Sequence, residues 1–319
     1  MPNLDDVCFD VVTGLNIGKR ERQEDAVIAD FPLGAPLGFA VLSDGMGGHA
    51  SGDVASGIVV TELFSELKML AENPEALEAN IGDALQAAVV GANDCIRLYE
   101  KENPNARGMG ATLVAPILFG NRLYWVSIGD SPLFLFRGGR LFRLNEDHSY
   151  AAQIDELHAR GVIPLEEALN HPDRSCLISV MSGGQIAKVD YRTEPMRLQE
   201  GDILLAASDG LLSLTEKQIS KVLSDQSGAS SQQIGAALMQ AVHAAGDPEQ
   251  DNLSICLIKV RSREAMLARK LGEDAEVCDV EDRSKDESQV ASEVMHIDRT
   301  ARAGRVHTVL SLSRKVRNA

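Results

Sequence analysis

Two apolar runs in this chain stop at the same tripeptide. "FAVLSDGMGGH" (39–49) and "ILLAASDGLL" (203–212) both pass through small and apolar residues and end in Ser-Asp-Gly. Each reads as a strand buried on both faces, and such a strand holds its last residue rigidly. A glycine after the aspartate lets the backbone turn away, or lets a carbonyl approach a ligand closely. Taken singly, Asp-Gly is first of all a turn signal. Recurrence changes the reading. Asp130 ends another apolar run in "WVSIGDS", and Asp251 immediately precedes one in "EQDNLSICLI". Glu24 and Asp25 sit in the loop or strand of a first hairpin. Several such strands in one sheet would bring their carboxylates to one edge.

Clustered carboxylates repel, and cations make such a cluster tolerable. An all-oxygen ligand set selects hard ions, Mg²⁺, Mn²⁺ or Ca²⁺. The chain has no paired His or Cys spacing that would suit zinc. Two divalent ions about 3.5–4 Å apart can hold a bridging water, lower its pKa and aim it at phosphorus. Arg20 is a candidate for gripping the phosphate oxygens, since a planar guanidinium can hold two at once. The residue pattern alone leads to a divalent-metal site; hydrolysis is one use of it.

The rest of the chain supplies a mixed framework. Strand-like segments are expected at 9–30 (one or two, around the polar turn "NIGKRERQED"), 39–43, 111–119, 123–128, 189–197, 202–208 and 253–260. "PLFLFRGGRLFRL" reads as two strands around a Gly138-Gly139 turn. A helix after Gly48 keeps Val54, Ile58, Val59, Leu63 and Leu67 at helical spacing. Pro74 opens a second long helix ending near Asn103-Pro104. Two more helices are expected at 215–224 and 230–245, and residues 149–185 form a polar helical excursion. Residues 261–271 read as a short helix. Beyond it, 273–298 hold ten acidic and two basic residues, and 299–319 hold six basic residues and no acidic one, a composition expected to stay mostly disordered.

Charge narrows the partners. A net charge of −16 repels phosphate backbones, so no nucleic-acid partner is expected. No apolar run approaches the ~20 residues of a membrane span, and the acidic start does not resemble a secretion signal. That points to the cytoplasm, and the five cysteines, far apart and odd in number, are expected to be reduced.

Read in order, "GKRERQEDA" (18–26), "VLSDGMGGHASGDVAS" (41–56), "GMGATLVA" (108–115), "VSIGDSPLFLFRGGRLFRLNEDHS" (126–149), "EEALNHPDRSCL" (166–177), "GDILLAASDGL" (201–211) and "DPEQDNLSICLI" (247–258) resemble the metal-dependent serine/threonine protein phosphatases of type 2C, in particular the bacterial branch. The resemblance implies an α+β fold, a four-layer α-β-β-α sandwich of two antiparallel sheets flanked by helix pairs, over residues 8–260 with a flap at about 149–185. It implies two Mn²⁺ or Mg²⁺ ions at one end. Asp44 would bridge them, the Gly45 carbonyl would join one, and Asp209 and Asp251 would complete the other. Glu24 and Asp25 would act near the metals, Arg20 would hold the substrate phosphate, and Asp130 would serve a weaker third ion with Asp209. Ser175 falls where some members bring a flap group toward that ion.

The chain departs from the family at a few positions. Some eukaryotic members carry a proposed general-acid His two residues after the bridging Asp; here that residue is Met46, and His49 does not inherit the role. Ala111 replaces a more usual Thr, and "SVMSGG" (179–184) departs from the usual flap ending.

The function implied is hydrolysis of phosphoserine and phosphothreonine by direct attack of a water or hydroxide bridging two metals. The expected partners are phosphorylated proteins, including a Ser/Thr kinase or its substrates, and a monomer is expected. The alternative is a catalytically weak pseudophosphatase that binds a phosphorylated signalling partner; the full set of carboxylates argues against it. A metal buffer is disfavoured because no EF-hand loop is present.

Overall fold

The computed structural model describes residues 7–32, 35, 37–47, 51–174, 176–262, 295–302 and 305–312, with the backbone alone at Ala152 and in the last two stretches. The elements are β1 (Val7–Asn16), β2 (Asp25–Asp30), β3 (Leu37–Met46), α1 (Gly52–Leu70), α2 (Pro74–Ala79), α3 (Ile81–Glu102), β4 (Gly110–Ala111), β5 (Leu113–Phe119), β6 (Arg122–Ile128), β7 (Leu133–Arg137) and β8 (Arg140–Arg143). There follow α4 (Tyr150–Ala159), α5 (Leu165–Leu169), β9 (Asp190–Arg197), β10 (Ile203–Ala207), α6 (Glu216–Asp225), α7 (Ser231–Ala245), β11 (Leu253–Ser262), β12 (Met295–Arg302) and β13 (Arg305–Leu312).

The central strands are apolar on both faces because each sheet is covered twice. One sheet runs β12-β13-β1-β11-β10-β7-β8 and the other β2-β3-β5-β6-β9, with β4 paired to β3. All pairings are antiparallel except β1 with β13. In β3, Phe39 and Val41 join a core with Leu63 of α1 and Leu85 of α3. Their neighbours Ala40 and Leu42 face the other sheet, packing with Leu204 and Ala206 of β10 and Ile258 of β11. On that second sheet, Leu205 and Leu257 turn to Ile219 of α6 and Leu238 of α7. Alternation along each strand thus fills three cores, and the layers are α-β-β-α as the resemblance implied. Each fully buried Leu or Ile contributes about 1.5–3 kcal/mol of transfer energy.

Four local expectations need correction. β1 and β2 do not form a hairpin: β1 pairs with β11 in one sheet and β2 with β3 in the other, so residues 17–24 cross between sheets. The long second helix is broken at Asn80 (φ −122°, ψ 28°), whose side chain donates to the Ala76 carbonyl at 2.9 Å and competes with helical bonding. β11 continues to Ser262, where a helix was expected from 261; residues 263–271 lie outside the described residues. Within the tail, 295–302 and 305–312 are strands rather than disordered chain, and β13 lines up beside β1.

Candidate metal centre

β2 opens at Asp25, which stands opposite Asp44 of β3, and the Gly45 N–H donates to the Glu24 carbonyl at 3.1 Å. β6 ends at Ile128, delivering Gly129-Asp130. β10 ends at Ala207; Ser208 and then Asp209 follow, the latter opening a 3₁₀ turn. Asp251 lies two residues before β11, which pairs with β10. Five strands from both sheets therefore bring carboxylates to one end of the sandwich.

The glycines of the two Ser-Asp-Gly stretches are required by close approach, and neither has a left-handed φ. A Cβ on Gly45 would lie 2.0 Å from the Gly52 carbonyl oxygen, and one on Gly210 would lie 2.0 Å from that of Asn252.

Polar residues that the sequence reading did not single out hold the carboxylates in place. Ser208 Oγ donates to Asp25 Oδ2 at 2.7 Å and accepts from the Ser254 N–H at 2.8 Å. Buried Asn252 accepts from the Glu24 N–H at 2.6 Å and donates to the Ile17 and Arg22 carbonyls, pinning the 17–24 crossing. Thr112 Oγ1 accepts the Asp44 N–H at 2.9 Å and lies 2.8 Å from Ser131 Oγ. The available signal was a Ser, Thr or Asn lodged in or beside an otherwise apolar run.

Electrostatics record the crowding. Burial pushes the Asp25 carboxyl up to about 7 against a hydrogen bond from Ser208, and the charges of Asp209 and Asp251 push the same way. Burial, then the charges of Asp209 and Asp147, push Asp130 up to about 7. Asp44 is raised well above the ordinary carboxylate range by burial, then by Asp25, Asp209, Asp130 and Asp251. Asp209 is raised by burial and Asp251, and Glu24 by burial, Asp53 and Asp251. Asp25 Oδ1 and Asp209 Oδ1 are buried without a hydrogen-bond partner. Orphaned carboxylate oxygens in an all-oxygen cluster fit a hard divalent cation. Among the described residues, no three His, Cys, Asp or Glu side chains are already gathered closely enough to grip an ion.

Arg20 lies at the rim, its side chain 56% exposed, and donates to Asp251 Oδ2 at 2.6 Å. The flap carries α4 and α5, and its return is held to α3: the Gly183 N–H donates to Asn93 Oδ1, and Asn93 Nδ2 to the Gly184 carbonyl. Ala111 exchanges both backbone hydrogen bonds with Met181, seating "SVMSGG" against β4. A cavity of about 520 Å³ on the flap, lined by Pro164, Glu166, Glu167, Asn170, His171 and Pro172, includes none of the clustered carboxylates. His49 and Ser175 lie outside the described residues. Among the described residues, no helix is long and apolar enough to cross a membrane.

Fold and carboxylates together define a class: an α-β-β-α sandwich with an acidic cluster at one end. The family follows from comparison. Residues 16–258 match the family model described as Protein phosphatase 2C, and the chain belongs to that family. Serine/threonine phosphatase stp of Listeria monocytogenes is 35% identical over 187 residues, 58% of this chain and 71% of that one. The crystal structure of the Mycobacterium tuberculosis serine/threonine phosphatase PstP/Ppp superposes with a TM-score of 0.66 at 29% identity, covering 79% of this chain and 99% of that one. The catalytic domain of PstP in complex with two manganese ions gives 0.63 at 29% identity, covering 80% and 100%.

Proposed function

We propose that this protein removes phosphate from phosphoserine and phosphothreonine in proteins, with Mn²⁺ or Mg²⁺ held among the carboxylates at the end of the sandwich. One observation carries the reading: Asp25 and Asp209, at the carboxylate-bearing end of a protein phosphatase 2C fold, each keep a buried, unpartnered carboxylate oxygen. The names of the stp and PstP relatives and the manganese-bound PstP structure support it. Asp44, the Gly45 carbonyl, Asp209 and Asp251 would hold two ions, with Glu24 and Asp25 beside them and Asp130 serving a weaker third.

When bound, the ions lower the pKa of a water and offset charge on the phosphate. The chain's own contribution is placement. Ser208 orients Asp25, Thr112 orients the Asp44 peptide, and Asn252 fixes the crossing that presents Arg20. Arg20 is exposed enough to turn from Asp251 to a phosphate, where its planar fork grips two oxygens. The substrates include a Ser/Thr kinase or that kinase's targets, and the protein acts as a monomer. We place it in the cytoplasm, where a thiol such as that of buried Cys256 stays reduced.

The test is hydrolysis of p-nitrophenyl phosphate and a phosphothreonine peptide. Turnover should need Mn²⁺ or Mg²⁺, stop in EDTA and return on metal addition. Asp44→Asn should lower kcat by orders of magnitude while circular dichroism stays native. Wild-type kcat in that variant would end the metal-site reading.

A further inference from the structure

His148 stands at the root of the flap, 1% exposed. Its backbone N–H donates to the Gly129 carbonyl at 3.0 Å, and its ring Nδ1 accepts the Gly129 N–H at 3.2 Å. One residue thus takes both backbone polar groups of the glycine that precedes Asp130. An accepting Nδ1 places the ring proton on Nε2. That nitrogen has no hydrogen-bond partner, and the Glu146 carboxylate is 3.8 Å away. Burial, then the charge of Lys188, lowers the His148 pKa and favours the neutral ring that this acceptor role requires.

The neighbourhood leaves Gly129 little freedom. Its φ is 97°, and a Cβ there would lie 2.7 Å from Thr112 Cγ2. On the other side of Asp130, Ser131 is held through its hydroxyl by Thr112 and through its carbonyl by Asn145 Nδ2 at 2.9 Å. Asp130 therefore sits between two anchored residues. His148 also faces the flap: its carbonyl accepts the Ile178 N–H at 2.8 Å, Ser149 bridges Leu177, and the Tyr150 N–H donates to the Cys176 carbonyl at 3.0 Å.

We propose that His148 is a positioning residue: its Nδ1 acceptor fixes the Gly129–Asp130 segment, sets the place of the Asp130 carboxylate, and ties that place to the root of the flap. The proposal rests on reading the carboxylate cluster as a divalent-metal site. A histidine that merely filled space would be indifferent to which ring nitrogen a replacement mimics. Outer partners that orient metal-ligating groups typically matter 10- to 100-fold for metal affinity.

Three substitutions in the full chain separate these roles. His148→Asn puts an amide oxygen near the position of Nδ1, His148→Gln carries it out toward Nε2, and His148→Ala removes it. Mn²⁺ is titrated into each metal-free protein by calorimetry, and metal activation of phosphopeptide hydrolysis is followed in parallel. In His148→Gln and His148→Ala, the weakest-bound Mn²⁺ should lose on the order of 10- to 100-fold in affinity. The metal concentration for half-activation should rise accordingly, while the phosphopeptide KM at saturating metal is unchanged. His148→Asn should stay close to wild type. If the alanine protein does not fold, the Asn–Gln comparison carries the same decision. Variants that all bind Mn²⁺ like wild type, or an Asn variant that falls with Gln, overturn the role of His148. A wild-type protein that binds no Mn²⁺ overturns the metal reading itself.

Discussion

Asp25 and Asp130 carry carboxyls pushed up to about 7, by burial first and then, in part, by the charge of other aspartates. A carboxyl raised in the folded state binds more protons folded than unfolded between its ordinary pKa, about 4, and the raised value. Its stabilising contribution is complete below about pH 4 and is lost as pH climbs through about 7. Asp44, Asp209 and Glu24 act in the same sense, while the lowered His148 acts in the opposite one. In EDTA, Tm should therefore fall from about pH 5 to about pH 7. Saturating Mn²⁺ should flatten or reverse that slope, because the cation binds ionised carboxylates. Paired thermal melts check this, and a Tm that climbs with pH in EDTA would contradict it. Arg20 yields a second test at this scale. Arg20→Ala should chiefly raise KM, with Arg20→Lys recovering only part of the loss, since Lys cannot make the two-pronged contact. Arg20 also neutralises Asp251, so calorimetry should find Mn²⁺ binding no weaker in Arg20→Ala. Unchanged KM and kcat in both variants would remove Arg20 from the site.

At the level of elements, the turn after β10 and the start of β11 are packed backbone against backbone. Gly210 is the contact point, with the Asn252 carbonyl where a side chain would begin. Gly210→Ala must push the two apart, at a cost of about 1–3 kcal/mol for overpacking. Asp209 and Asp251 flank that contact, so kcat should fall together with the denaturation midpoint. Gly228→Ala is the control: nothing lies within 4 Å of its added Cβ, and its stability should stay within about 0.5 kcal/mol of wild type. Equal stability in the two alanine variants would mean that the close approach does not constrain the site.

Charge is divided across the whole molecule. Residues 1–260 hold 19 basic and 36 acidic residues, a formal charge of −17, whereas 299–319 hold only basic ones. β13 runs parallel to β1 with Ser311 opposite Leu15, so β13 ends beside the end of β1 that leads toward Arg20. Arg314, Lys315 and Arg317 follow Leu312 closely in sequence. Attraction between this segment and the carboxylate cluster should compete with substrate. Truncation after residue 272 should lower the phosphopeptide KM at low ionic strength, and the difference should fade as the Debye length shrinks from about 10 Å at 0.1 M salt to about 3 Å at 1 M. Matching KM, kcat and salt dependence in the two forms would exclude docking of the tail.

The sequence by itself determined where the carboxylates stand. Apolar runs that stop at Asp44, Asp130 and Asp209, and one that starts after Asp251, report local burial, and local burial is what periodicity records. The layered sandwich was legible through the ordered motifs of the family rather than through any single segment. Only the tertiary structure decided that β1 and β2 belong to different sheets, that Gly45 and Gly210 answer to backbones pressed against them, and that Asn80 breaks a helix. It also decided that Thr112, Ser208, Asn252 and His148 hold the site. Most of these contacts join residues far apart in the chain, 228 positions for Asn252 and Glu24, 183 for Ser208 and Asp25. Whether such pairs meet depends on strand register and sheet order, set by how all the layers pack at once, and no stretch of sequence carries that information locally.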